Sequence, residues 1–269
     1  MVAAWFAAAV VFSGISADSV AGPDSILPHR AGYVLTLESV RQGSGVVDVT
    51  GVLSYDWADS CDGWIVEQRY VLQVIRGTGP PVQISASYAN WESKDGLRYR
   101  FYVKRSRAAQ EDGEDDEVQG EATLEAIGKP GVAEFKKPRR EKIALPAGTT
   151  FPTAHTLALM KRAAAGEKLD RRPVFDGAEV EPPSAMSAFI LPERDSPPNG
   201  HPKVQTNQQP VWPISIAVFA PEGKAAMPEF EMVIYLQRNG VVPELTMNYG
   251  DFTVRGRLQI FEPLKASEC

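Results

Sequence analysis

Few residues of this 269-residue chain are suited to chemistry: two cysteines, three histidines and a few clustered charges. Cys61 lies in the run Asp59-Ser60-Cys61-Asp62-Gly63-Trp64, and Cys269 is the last residue. In an oxidising compartment two thiols with no other cysteine available most simply close one bridge. That closure would span about 208 residues, for which the chain-entropy model gives roughly 5 kcal/mol as an upper estimate. The alternative is two unrelated thiols. Zinc fits poorly, because His29, His155 and His201 show none of the close ligand pairs that zinc sites use. Cys61 is also a poor nucleophile, since flanking carboxylates raise a thiol pKa whereas reactive cysteines have cationic neighbours.

Acid–base chemistry has three candidates. Asp59 and Asp62 could form a carboxylate pair, and His155 could act as a base, which together would suit a hydrolase of an envelope polymer. Against this, aspartate, serine and glycine around a cysteine are also what a tight turn requires, and a lone histidine within a helix more often packs than reacts. The sequence contains no Gly-x-Ser-x-Gly elbow, Walker loop or dinucleotide-binding glycine motif, and Gly77-Thr78-Gly79 runs into two prolines as a turn. No cofactor or metal is expected. Lys136, Lys137, Arg139, Arg140 and Lys142 could contact lipid phosphates, but better suit a solvated loop between strands. Residues 111–117 carry six carboxylates without the ligand order of an EF-hand, and read as a self-repelling hairpin tip. Without that run the formal charge of -6 falls to zero, so the body has no global field to attract nucleic acid or anionic lipid.

The elements that must carry these residues are mainly strands. Trp64, Val66, Tyr70, Leu72 and Val74 alternate with polar positions; so do Phe230, Met232, Ile234 and Leu236, and Phe252, Val254, Leu258 and Ile260. Gly256 falls on the apolar face of the last run, where it suits a bend or a close approach. Further strand-like runs, near 32–41, 45–57, 82–94, 96–105, 118–127, 140–145, 186–191, 211–219 and 242–249, are joined by Gly, Asn and Pro turns, which implies antiparallel hairpins. One wet face per strand excludes a parallel sheet between helices, and a single curved sheet or barrel follows, whose closure would remove exposed edges. One helix is expected from a Thr153 cap to about Ala165, with Leu157, Met160 and Ala164 as its stripe and Gly166 as its stop. The proline-rich stretch 193–210 reads as a mobile loop.

Residues Ala3 to Ile15 are apolar and too short to span a bilayer. They read as a signal peptide cleaved near Ala17 or Ala21, with a buried N-terminal helix as the alternative. The charged n-region is missing, which places the expected start upstream. Residues 22–269 then form one β domain outside the inner membrane, with no second spanning run.

Five short motifs, in order along the chain, are Pro28-His29-Arg30-Ala31, the 59–64 run leading into Gln68-Arg69-Tyr70, Phe151-Pro152-Thr153, Phe175-Asp176-Gly177, and Asp251-Phe252-Thr253-Val254-Arg255-Gly256 through Glu262 to Cys269. In these the chain resembles the cell envelope integrity EipB family of alphaproteobacteria. The resemblance implies a periplasmic protein whose long antiparallel sheet winds into a spiral, oval barrel, with a disulfide matching Cys61 and Cys269. It also implies similarity to envelope lipoprotein carriers that hold acyl chains, association with a periplasmic tetratricopeptide-repeat protein, and no enzymatic activity. A lipid or acyl-chain ligand would then meet the inward residues Trp64, Val66, Tyr70, Leu72, Phe230, Met232, Ile234, Phe252 and Val254. The acidic run at 111–117 departs from the family pattern.

Overall fold

Alternating apolar and polar residues give fourteen strands, all in one antiparallel sheet. The computed structural model describes residues 26–108, 115–200, 204, 208–221 and 226–269. The signal-peptide segment, residues 111–114 of the acidic run and part of the 193–210 loop lie outside the described residues.

In chain order the strands are β1 (His29–Val40), β2 (Val46–Asp59), β3 (Gly63–Arg76), β4 (Val82–Ser93), β5 (Arg98–Ala108), β6 (Asp115–Leu124), β7 (Gly131–Lys137) and β8 (Glu141–Leu145). A helix, α1 (Pro152–Ala164), follows, and then β9 (Leu169–Val174), β10 (Ser184–Ile190), β11 (Val211–Phe219), β12 (Phe230–Gln237), β13 (Glu244–Asn248) and β14 (Phe252–Pro263). Each strand pairs with its sequence neighbour, with one exception. β1 and β14, the first and last, pair with each other, while β8 and β9 do not pair and leave the sheet with two edges. The ribbon therefore winds without full hydrogen-bonded closure, which corrects the expectation that its edges vanish. The edges are linked instead at an isolated bridge between Thr150 and Val174, where Thr150 N–H donates to Pro173 and Phe175 N–H to Thr150.

Side chains fill the interior in three clusters. One joins β1, β2 and β3 to β13 and β14 through Leu35, Val49, Leu72, Val254 and Leu258. A second sets Leu159, Met160 and Ala163 of the helix against Trp57, Trp64, Trp212 and Ile214. The third lies under β5 to β8, where Tyr99 stacks on Phe151 at 5.1 Å between ring centroids and Phe101 meets Phe175 at 5.6 Å. The Phe151 and Phe175 motifs, 24 residues apart in the chain, are thus packed into one aromatic core.

Three local expectations change. Ile260 is 63% exposed, because the β1–β14 register slips between Gly32 and Tyr33 and the resulting bulge turns Ile260 outward. Thr153 is not the helix cap: Phe151 holds that position, and the buried face is Leu159, Met160 and Ala163, with Leu157 only half-buried and Ala164 exposed. Asp115, Asp116 and Glu117 belong to β6, opposite Ser106, Arg105 and Lys104, so the described part of the acidic run is strand. In the described part of the 193–210 loop, Glu193 pairs with Arg238 through two hydrogen bonds of 2.8 and 3.0 Å and Asn199 Nδ2 donates to Glu244 at 2.9 Å. Gly256 does serve close approach: a Cβ there would lie 2.9 Å from Leu35 Cδ2.

Candidate functional site

The run around Cys61 makes the tight turn between β2 and β3. Cys61 is itself left-handed, with φ of 61°, the one non-glycine residue with positive φ among those described. Its sulfur is bonded to that of Cys269, 208 residues away, with the Cα atoms 5.8 Å apart. Nearby groups reinforce that join. Ser267 Oγ–H donates to the Asp59 carbonyl at 2.6 Å, and Trp91 Nε1–H to Ser60 Oγ at 3.3 Å. Gly63 is required by space, since a Cβ would sit 2.3 Å from Trp91 Nε1. Asp59 is engaged by Lys94, whose Nζ lies 2.6 Å from the carboxylate and 3.1 Å from the centre of the Trp64 ring. Burial alone would raise the Asp59 pKa, but Lys94 outweighs it and holds the group below its ordinary value. Asp62 is exposed. The turn is thus a fastening for the C-terminal tail.

His155 stands apart from these two aspartates. It is buried on α1, with Nε2 3.4 Å from Asp170. Asp170, on β9, also receives Arg172 Nε at 2.7 Å and Arg162 Nε at 2.7 Å. Burial opposes its ionisation, yet His155 and Arg172 hold its pKa well below the usual carboxylate range. The cluster ties the helix to the edge strand. Four residues of the basic cluster are paired: Lys136 to Glu121, Lys137 to Glu117 and Lys142 to Glu134 across neighbouring strands, and Arg139 to Glu141 within the β7–β8 turn. No group of three His, Cys, Asp or Glu able to hold a metal occurs among the described residues.

What the interior offers is space. A cavity of about 220 Å³ lies between the inner face of the sheet and α1. Its wall includes His29, Tyr33, Leu53, Leu159, Leu245 and Met247, with Met232 and Ile234 from the inward run of β12. Burial pulls the His29 imidazole below its ordinary pKa, and His29 Nδ1 lies 2.7 Å from the Leu27 carbonyl. Trp64 and Val66 line a smaller compartment of about 50 Å³ at the start of the helix. Leu72, Phe252 and Val254 lie within the packed cluster under β1 to β3, with Tyr70 and Phe230 against it.

Glu92, on β4, is the site residue that periodicity could not flag. It is 2% exposed and lines the smaller compartment, where its two oxygens accept from Thr153 N–H and Ala154 N–H, each at 2.7 Å. A strand carboxylate therefore supplies the N-terminal cap that α1 lacks locally. Burial raises its pKa to about 7, although the two donors favour the ionised form.

An antiparallel sheet wound round a partly hollow interior, with a helix on the hollow and a disulfide fastening the C-terminal tail to the β2–β3 turn, defines a β-barrel-like class. A solved member from Brucella abortus, described as a beta-barrel-like protein of domain of unknown function DUF1849, superposes with a TM-score of 0.79 at 30% identity, covering 90% of this chain and 99% of that one. The family model described as EipB-like matches residues 20–265, and the chain belongs to that family. The cell envelope integrity protein EipB of Brucella abortus (strain 2308) is 33% identical over 246 residues, covering 90% of this chain and 86% of that protein. Among the described residues no helix is long and apolar enough to cross a membrane.

Proposed function

We propose that this chain is a non-enzymatic protein of the periplasm that maintains the cell envelope by holding an apolar ligand, a lipid acyl segment, in the cavity beside α1. The observation that carries the reading is the cavity of about 220 Å³ between the sheet and α1. That space is roughly half as large again as a ~150 Å³ engineered cavity that stays dry and binds benzene. It suits one short acyl segment better than a whole phospholipid. The relative's name supplies the envelope role, and a disulfide-closed chain suits an oxidising compartment. Asp59 pairs with Lys94 and His155 with Asp170, which supports the non-enzymatic reading over a hydrolase.

Titration calorimetry with octyl compounds tests the reading. Wild-type protein should bind them, and Ile234→Trp, which fills the cavity, should abolish binding while keeping a cooperative melt. Equal binding by both proteins, or by neither, would reject the cavity as the ligand site. In the second case, recovery of a tetratricopeptide-repeat protein by periplasmic cross-linking would move the function to a protein partner.

A further inference from the structure

The cavity reading leaves the ligand's polar end unassigned, and the smaller compartment bears on it. Tyr55, Trp57 and Thr156 line both spaces, so the two adjoin. At about 50 Å³ the smaller one takes one or two groups of the size of water. Two atoms of its wall residues lack partners. Trp57 is 3% exposed and its Nε1–H finds no acceptor, while the buried Oδ1 of Asn90 finds no donor. Buried polar atoms are nearly always satisfied, so Trp57 Nε1–H calls for an acceptor and Asn90 Oδ1 for a donor, a demand that two waters or one group able to do both would meet. Glu92 does not fill that role: its two oxygens accept from helix N–H groups, and Trp57 Nε1–H finds no acceptor there.

Head groups can be sorted by that demand. A carboxylate accepts from Trp57 but has no proton for Asn90, and it would share the compartment with the Glu92 carboxyl. An ammonium donates to Asn90 but cannot accept from Trp57. A hydroxyl or a primary amide does both. Resting on the cavity reading, we infer that the ligand is an amphiphile whose short apolar chain fills the larger compartment and whose uncharged hydroxyl or amide head bridges Trp57 Nε1 and Asn90 Oδ1.

Calorimetry with four ligands of one chain length (octanamide, 1-octanol, octanoate and octylammonium) tests the inference on the full chain. Octanamide and octanol should bind at least about tenfold more tightly than either ion, and Trp57→Phe and Asn90→Ala should each weaken octanamide about fivefold, the worth of one neutral hydrogen bond. Should a variant fail to fold, the wild-type protein still answers: the Trp57 indole N–H resonance must shift when octanamide is added. Equal affinity for all four heads, or an unmoved Trp57 resonance, would overturn the head-group assignment and leave the cavity occupied. Binding of none would overturn the cavity reading with it.

Discussion

Glu92 illustrates how one residue can belong to two elements. Its carboxyl is buried against the first turn of α1, and burial raises its pKa from 4.5 to about 7. Between those values the folded chain binds more protons than the unfolded one. This group's contribution is therefore fully present below about pH 4.5 and is lost as pH rises through about 7. Unfolding in urea at pH 5 and pH 8 should show wild type losing stability relative to Glu92→Gln on going to the higher pH, by about 3 kcal/mol at most. A constant difference between the two proteins would show that Glu92 does not titrate in this window. No sequence pattern exposes this residue, because a glutamate in Asn90-Trp91-Glu92-Ser93 reads as an ordinary polar strand position. Its partner lies 61 residues away, and only the folded sheet brings them together.

At the scale of elements, period-two alternation was legible wherever a strand has one dry and one wet face. β3, β12 and most of β14 keep the faces that their side chains announce. Two strands escaped notice for physical reasons. β7 is short, with only Ala133 and Phe135 fully buried, and β9 carries Arg171, Arg172 and Pro173, a composition tolerated because β9 is an edge. The helix was legible from its stop and length, but its cap comes from β4 and its stripe is turned by one residue or two. The bulge in β14 makes a sharp prediction. Leu258→Ala should lower the unfolding free energy by about 2 to 5 kcal/mol, whereas Ile260→Ser should change it by less than about 0.5 kcal/mol. Similar losses in denaturant titrations would place Ile260 back inside and remove the bulge.

On the scale of the whole molecule, the chain's first and last strands meet in mid-sheet, and the disulfide fastens the tail beyond β14 to the β2–β3 turn. Cys61→Ser should cost about 2 to 4 kcal/mol, below the chain-entropy figure because β1–β14 pairing already restrains the tail. Thermal melts with and without reductant check this: reductant should lower the wild-type midpoint to that of the variant and leave the variant unchanged. A wild-type midpoint indifferent to reductant would deny the bridge any stabilising part. The two cysteines were legible because there are only two. The winding of the sheet was legible from strand number and length, but the open seam at β8 and β9 depends on where the ribbon's edges come to rest. Which inward residues pack and which border a hollow was not legible, since Met232 and Phe230 share one alternating pattern yet only Met232 lines the cavity.

If the hollow beside α1 holds an apolar chain, intermolecular nuclear Overhauser effects between bound octanamide and methyl-labelled protein will locate that chain. Contacts are expected from the octyl chain to the methyls of Leu159, Ile234, Leu245 and Met247, all on the cavity wall. Contacts confined to outward methyls such as those of Val34 and Val52, both exposed on the other face of the sheet, would contradict it.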